Sequence, residues 1–220
     1  MRKFNYLCSF IVVLSVSLFI VTLGQNIVMR TSGTYLYHFN ETRVVSEIYT
    51  EYTNSQMADE ISGFINSWRP EEFQIYEDTG YDLEGIFDKK DSQNMMALKH
   101  FMDMSFVVCV VCLIISASIY SYFLKHDHKL VLRNRLKFTA LITLALVGGE
   151  AFVLYTDVGF KWFKAFVGLD TLAKDSALNI IMGNGFVPLT ATFLIVYSLI
   201  ALAVVSYITW VFTKPPRIFY

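Results

Sequence analysis

The sequence predicts a mainly α-helical membrane protein with four transmembrane helices, a small α+β extracytoplasmic cap and an amphipathic helix lying in the membrane interface. Three observations predict it. Of the 220 residues, 55% are apolar, 16% aromatic and only 17% charged, a composition too greasy for an ordinary soluble domain. Four apolar runs reach the length of about 20 residues that a helix needs to cross a hydrocarbon core about 30 Å thick. The net charge of −1 conceals a segregation of charge along the chain that follows the apolar runs.

The first run, residues 4–29, is longer than the apolar region of a signal peptide and has no small-x-small cleavage pattern, so it reads as a retained anchor. The second and third runs are 101–124 and 138–156, and the fourth is 186–212. Orientation follows from lysine and arginine in the short connections. Arg2 and Lys3 precede the first run, Lys125, Lys129, Arg133, Arg135 and Lys137 crowd residues 125–137, and Lys214 and Arg217 lie in the tail 213–220. Those places hold nine of the eighteen basic residues, so the chain is expected to be multi-pass with both termini and the basic turn cytoplasmic.

Residues 30–100 then form the extracytoplasmic cap, and the stretch 31–99 holds thirteen acidic against five basic residues. After a helix cap at Asn54-Ser55, the residues Ile61, Phe64, Ile65 and Trp68 recur at helical spacing, and Pro70 ends the pattern. "EEFQIYEDTGYDLEGIF" reads as two short strands around Asp78-Thr79-Gly80. His38, in "YLYHFN", alternates with aromatic residues as a strand would and reads as packed or interfacial. A cap of about 70 residues without disulfides buries little, so it is expected to lean on the membrane and the spans.

Residues 157–185 are too apolar for a loop in water. On a helix, Phe160, Phe163 and Val167 share one face, Trp162 pairs with Phe166, and Lys161, Lys164 and Gly168 take another. That is the pattern of an interfacial helix, whose aromatic rings favour the headgroup zone and whose lysines snorkel to phosphates. Gly183-Asn184-Gly185 reads as the turn into the fourth run. Glu150, in "LALVGGEAFVLY", is costly inside a bilayer unless paired, protonated or facing a cavity, which makes it a functional candidate.

Other chemistry finds no support. Cys8, Cys109 and Cys112 all sit in apolar runs, so no disulfide framework is implied, and the CxxC at 109–112 reads as soft packing. No cluster of histidine, cysteine and carboxylate has metal-ligand spacing, no phosphate loop has the required strand and helix context, and no cofactor is expected. The one basic cluster is explained by topology, so no nucleic-acid partner is expected.

Local patterns then resemble a known family, the lipoprotein intramolecular transacylases, bacterial four-span membrane proteins with an extracytoplasmic domain after the first span. In "FDKKDSQNMMALK" the residues Phe87, Lys90, Asp91, Met95, Leu98 and Lys99 match the family in gapless register, but Asn94 stands where the family has a histidine and Ala97 where it has an aspartate. A shifted register instead puts His100 and Asp103 on that motif. After the third span, Asp157, Phe160 and Phe163 fall at the family's offsets, and Lys164 occupies its second histidine position. Asp175, Leu178, Ile181 and Phe186 resemble the approach to the fourth span, with Met182 replacing a proline.

The resemblance implies transfer of an acyl chain from the glyceryl unit of a membrane lipoprotein to its own N-terminal amine. Such a reaction needs a base near neutral pKa and donors for an oxyanion. His100 suits the first role, with Asp103 one helical turn later as its partner. Asn94 can donate a hydrogen bond but cannot act as a base, and Lys164 could do so only if burial depressed its pKa by several units. Asp157, Glu150, Lys161 and Trp162 complete the candidate set as residues that would hold the lipid substrate. The expectation is therefore a bacterial cell-membrane protein that binds lipid or lipoprotein at the outer leaflet as a diverged, non-catalytic relative. An active acyltransferase and an accessory subunit bound to a membrane-protein partner, in a transporter or immunity complex, are the alternatives.

Overall fold

The computed structural model describes residues 2–48, 50–68, 72–78, 83–126, 128–183 and 185–214. Among these, four helices are long and apolar enough to cross a membrane. They are α1 (Arg2–Arg30), α4 (Lys89–Lys125), α5 (Lys129–Tyr155) and α8 (Phe186–Phe212). Between α1 and α4 come α2 (Ser32–Thr42), a 3-10 turn (Val44–Ile48), α3 (Asn54–Asn66) and strands β1 (Tyr76–Asp78) and β2 (Leu83–Gly85). Between α5 and α8 come α6 (Asp157–Val167) and α7 (Ala177–Gly183).

The chain divides into two compact units, one made of residues 1–24, 105–149 and 194–220, the other of 25–104 and 150–193. In the first, Val12, Val16, Ile20, Phe123, Leu132 and Leu202 form an apolar core. Small hydroxyl residues hold its helices together: Ser116 Oγ donates to Ser15 Oγ at 2.9 Å, and Ser17 Oγ donates to the Thr139 carbonyl at 3.2 Å. Such bonds suit helices in lipid, where apolar side chains gain nothing by leaving one apolar medium for another. The second unit has its own core, in which Tyr35, Phe39, Met57, Ile61, Phe87 and Ile181 are fully or almost fully buried.

The cap is helical. The two strands expected around residues 78–80 form, antiparallel with Tyr76 opposite Gly85, but each is three residues long. A ribbon that size is no sheet layer, so the α+β cap of the sequence reading is replaced by helices packed on one another; Thr79 and Gly80 lie outside the described residues. His38 is on helix α2, not a strand. The buried positions Thr34, Tyr35, His38 and Phe39 follow helical spacing, and the alternation of aromatics had imitated a strand because Tyr37 carries a half-exposed ring on the other face.

α3 begins one residue earlier than expected. Thr53 is the N-cap, in a capping box with Gln56, a feature worth about 1 kcal/mol. Trp68 does not continue the α3 face. The helix stops at Asn66 and Trp68 is 95% exposed in a bend, while Pro70 lies outside the described residues.

Two boundaries also move. α4 is one helix of 37 residues that starts at Lys89, not at 101, so polar residues 89–100 extend the second apolar run without a break. The basic stretch 125–137 is mostly helical too: α5 starts at Lys129, and Asp127 lies outside the described residues. The turn into α8 uses Gly185 at φ 85, a conformation that side chains with a Cβ resist, while Asn184 is outside the described residues.

Candidate functional site

α4 presents the residues of the first motif, and their partners come from the segment after α6. Asn94 is buried, and both ends of its amide are engaged by one residue. The Asp170 backbone N–H donates to Asn94 Oδ1 at 2.7 Å, and Asn94 Nδ2 donates to the Asp170 carbonyl at 3.3 Å. One turn earlier, buried Asp91 accepts from Ser176 Oγ at 2.7 Å and from the Leu178 N–H at 3.3 Å, while Ser176 Oγ accepts from the Asn179 N–H. Asp91 thus satisfies one orphan N–H at the start of α7 and holds the hydroxyl that satisfies another.

α6 is amphipathic, as the sequence predicts. Thr156 caps it by accepting from the Gly159 N–H at 3.1 Å, and Gly168 closes it at φ 82. A side chain at Gly159 would meet Val153 Cα at 2.6 Å and the Phe152 carbonyl at 2.8 Å, so the corner between α5 and α6 requires glycine. Phe101 of α4 packs edge-on against Phe163 and Phe166, with ring centroids 5.6 and 6.3 Å away. The segment 163–170 therefore lies along 94–101 of α4.

The catalytic candidates diverge on this scaffold. His100 is exposed and makes no hydrogen bond or ion pair among the described residues. Asp103, expected as its partner, instead bridges Arg30 at 2.8 Å and Lys99 at 3.5 Å. The i, i+3 spacing does not form the pair because two cations with carbonyl partners compete for the same carboxylate. Arg30 also donates to the Ile65 carbonyl and Asn26 Oδ1, at 2.8 and 2.9 Å, and Lys99 donates to the carbonyls of Ile65 and Ser67. Lys164 places its ammonium 4.9 Å from the Phe160 ring centroid of its own helix. Among the described residues Asn94, His100 and Lys164 make no hydrogen bond to one another, although their elements pack side by side.

The lipid-side candidates separate as well. Asp157, Lys161 and Trp162 are exposed on α6. Glu150 takes a hydrogen bond on Oε1 from Gln25 Nε2, while its Oε2 is buried and has no partner among the described residues.

His38, read from the sequence as packed or interfacial, is buried beside Phe39 and Phe186 and hydrogen-bonded to the Ile181 backbone, with Nε2 left without a partner among the described residues. Burial lowers its pKa below the ordinary value of 6.5, opposed in part by the Ile181 bond. Beside it, burial raises the pKa of Tyr35, whose hydroxyl donates to the Met29 carbonyl at 2.7 Å. The signal was present in the sequence as Tyr35, His38 and Phe39 at i, i+3 and i+4. Sequence reasoning passed over Arg30 and gave Lys99 no role beyond its match to the motif, although each is a charge at the edge of an apolar run. Among the described residues no three His, Cys, Asp or Glu side chains converge as metal ligands.

No protein-family model matches the sequence, and no curated protein matches it. Solved structures do. The lipoprotein intramolecular transacylase of Bacillus cereus, in a variant with a histidine replaced by arginine, superposes with a TM-score of 0.76 at 11% identity, covering 97% of this chain and 93% of that one. A variant with the same histidine replaced by alanine gives 0.76 at 11% identity, with 97% and 95% covered. A further structure of that enzyme gives 0.69 at 12% identity, with 94% and 96% covered. Over nearly its whole length, this multi-pass membrane chain has the fold of a lipoprotein intramolecular transacylase.

Proposed function

We propose that the protein is a diverged relative of the transacylases that binds lipid or lipoprotein at the outer leaflet without carrying out acyl transfer. The observation that carries this reading is the engagement of Asn94. At the position where the resemblance calls for a histidine, the side chain is an amide whose oxygen and nitrogen are both committed to the Asp170 backbone. An amide cannot accept a proton as a base, and this one already has its oxygen and one of its two N–H donors in use. Lys164, at the second histidine position, rests over Phe160 and has no acid or base partner among the described residues. Glu150 supports retained binding: a buried carboxylate oxygen without a partner is a place for an ammonium group, such as a lipid headgroup or a free N-terminal amine.

The test is expression in a host lacking its own transacylase, with mass spectrometry of lipoprotein N-termini and of lipids that copurify with the protein. The expected result is no N-acylated product, and retained lipid that is reduced in Glu150→Gln. Acylation by the unaltered protein would overturn the reading.

One observation favours a second reading, in which the protein is an active acyltransferase. His100 is exposed, free of partners among the described residues, and next in sequence to Phe101, which packs on α6. In that case acylation is present and is lost in His100→Ala.

A further inference from the structure

α1 carries no charged residue from 4 to 29 and ends at Arg30; α4 carries none from 104 to 124, and its last charge before that run is Asp103. These two boundary charges form an ion pair at 2.8 Å. Charged side chains mark where a spanning helix leaves the hydrocarbon, because burying either one there costs several kcal/mol. The Arg30 to Asp103 contact therefore lies at the level of the membrane interface.

Two exposed aromatic groups sit at that level on separate elements. Lys99, one turn from Asp103, donates to the carbonyl of Ser67, the residue just before Trp68. Phe101 packs on Phe163 and Phe166 of α6, where Trp162 and Phe166 are 65% and 79% exposed. From Lys99 to Asp103 the helix rises about 6 Å, within the depth of about 5–10 Å over which interfacial aromatics are buried.

We propose that Trp68 is a second membrane foot of the cap: its indole inserts into the headgroup and acyl boundary of the same leaflet that α6 occupies. In water a side chain 95% exposed buries nothing and contributes nothing to the fold. In the interface the ring is removed from water while its N–H keeps polar partners, which is why indoles concentrate there. The boundary pair of Arg30 and Asp103 supplies the depth, and Lys99 supplies the height of Trp68 relative to it. With α6 as the other contact, the α3 end of the cap is held against the bilayer at two points.

The chain has three tryptophans, so the double variant Trp162→Phe, Trp210→Phe leaves Trp68 as the only indole. The purified full-length variant is reconstituted alone into phosphatidylcholine and phosphatidylglycerol vesicles, with and without lipids brominated near the headgroup end of the acyl chains. A matching variant that keeps only Trp162 reports on α6. The expected result is loss of Trp68 emission in brominated vesicles as large as that of Trp162, together with protection from aqueous iodide. Iodide quenching of Trp68 with no effect of the brominated lipids would overturn the proposal. Insensitivity to both would overturn it too, since the ring would then be covered by protein such as a second copy of this chain.

Discussion

Asn94 grips Asp170 by both of that residue's backbone groups, accepting from its N–H at 2.7 Å and donating to its carbonyl at 3.3 Å. A side chain on the long helix α4 thereby fixes the path of the chain after α6, at a position where the family resemblance calls for a proton acceptor. The same residue cannot serve both ends.

Asn94→Ala should lower stability by about 1 kcal/mol, because two part-buried hydrogen bonds to the Asp170 backbone are lost. Hydrogen exchange at residues 169–172 should accelerate by a larger factor than elsewhere in the protein. Unchanged exchange there would show that Asn94 does not hold the segment.

Asp91→Ala removes the acceptor of both Ser176 Oγ and the Leu178 N–H. The expected loss is about 1–3 kcal/mol, the cost of leaving a buried donor unsatisfied. Asp91→Asn keeps one acceptor oxygen and should recover part of that loss. Thermal unfolding in detergent of the three proteins gives the ranking, and equal stability of all three would contradict it.

Lys99 and Asp103 share an ion pair but should not matter equally. Asp103 is 46% exposed, so Asp103→Asn removes a pair screened by solvent and costs about 0–1 kcal/mol. Lys99 is 4% exposed and serves the carbonyls of Ile65 and Ser67 at the end of α3, so Lys99→Met should cost about 1–3 kcal/mol. Comparable unfolding midpoints for the two variants would refute this order.

His38 should make stability depend on pH. Burial places its folded-state pKa below 6.5, so above that pH the ring is neutral in both folded and unfolded chains and stability is full. As pH falls through 6.5 the unfolded chain takes up a proton that the folded chain resists, and stability drops until the folded pKa is passed. Unfolding midpoints measured on both sides of that pH should fall on acidification in the unaltered protein. The fall should be smaller in His38→Gln, and an identical fall in both would remove His38 as its source.

Much of the architecture was legible in order along the chain. Four apolar runs yield four helices because a backbone in lipid must satisfy its own hydrogen bonds, and length and hydropathy are enough to say so. The amphipathic pattern of 157–167 is equally local, and α6 forms where the spacing of Phe160, Phe163 and Val167 puts it. The cap was harder. Tyr35, Tyr37, His38 and Phe39 fit two periodicities over a short stretch, and only packing against the rest of the cap core selected the helix.

The sequence by itself determined the four apolar runs and the amphipathic helix over 157–167, because these depend on residue type and local spacing. Tertiary structure alone decided which partners the polar candidates take. Asp103 could have served His100, one turn away, but Arg30 and Lys99 reach it from the end of α1 and from α4 itself. Asn94 could have faced a substrate, but the backbone of Asp170 comes to it across 76 positions of chain. A polar side chain takes the partner that folding brings nearest, and that choice is not written in the spacing of its neighbours.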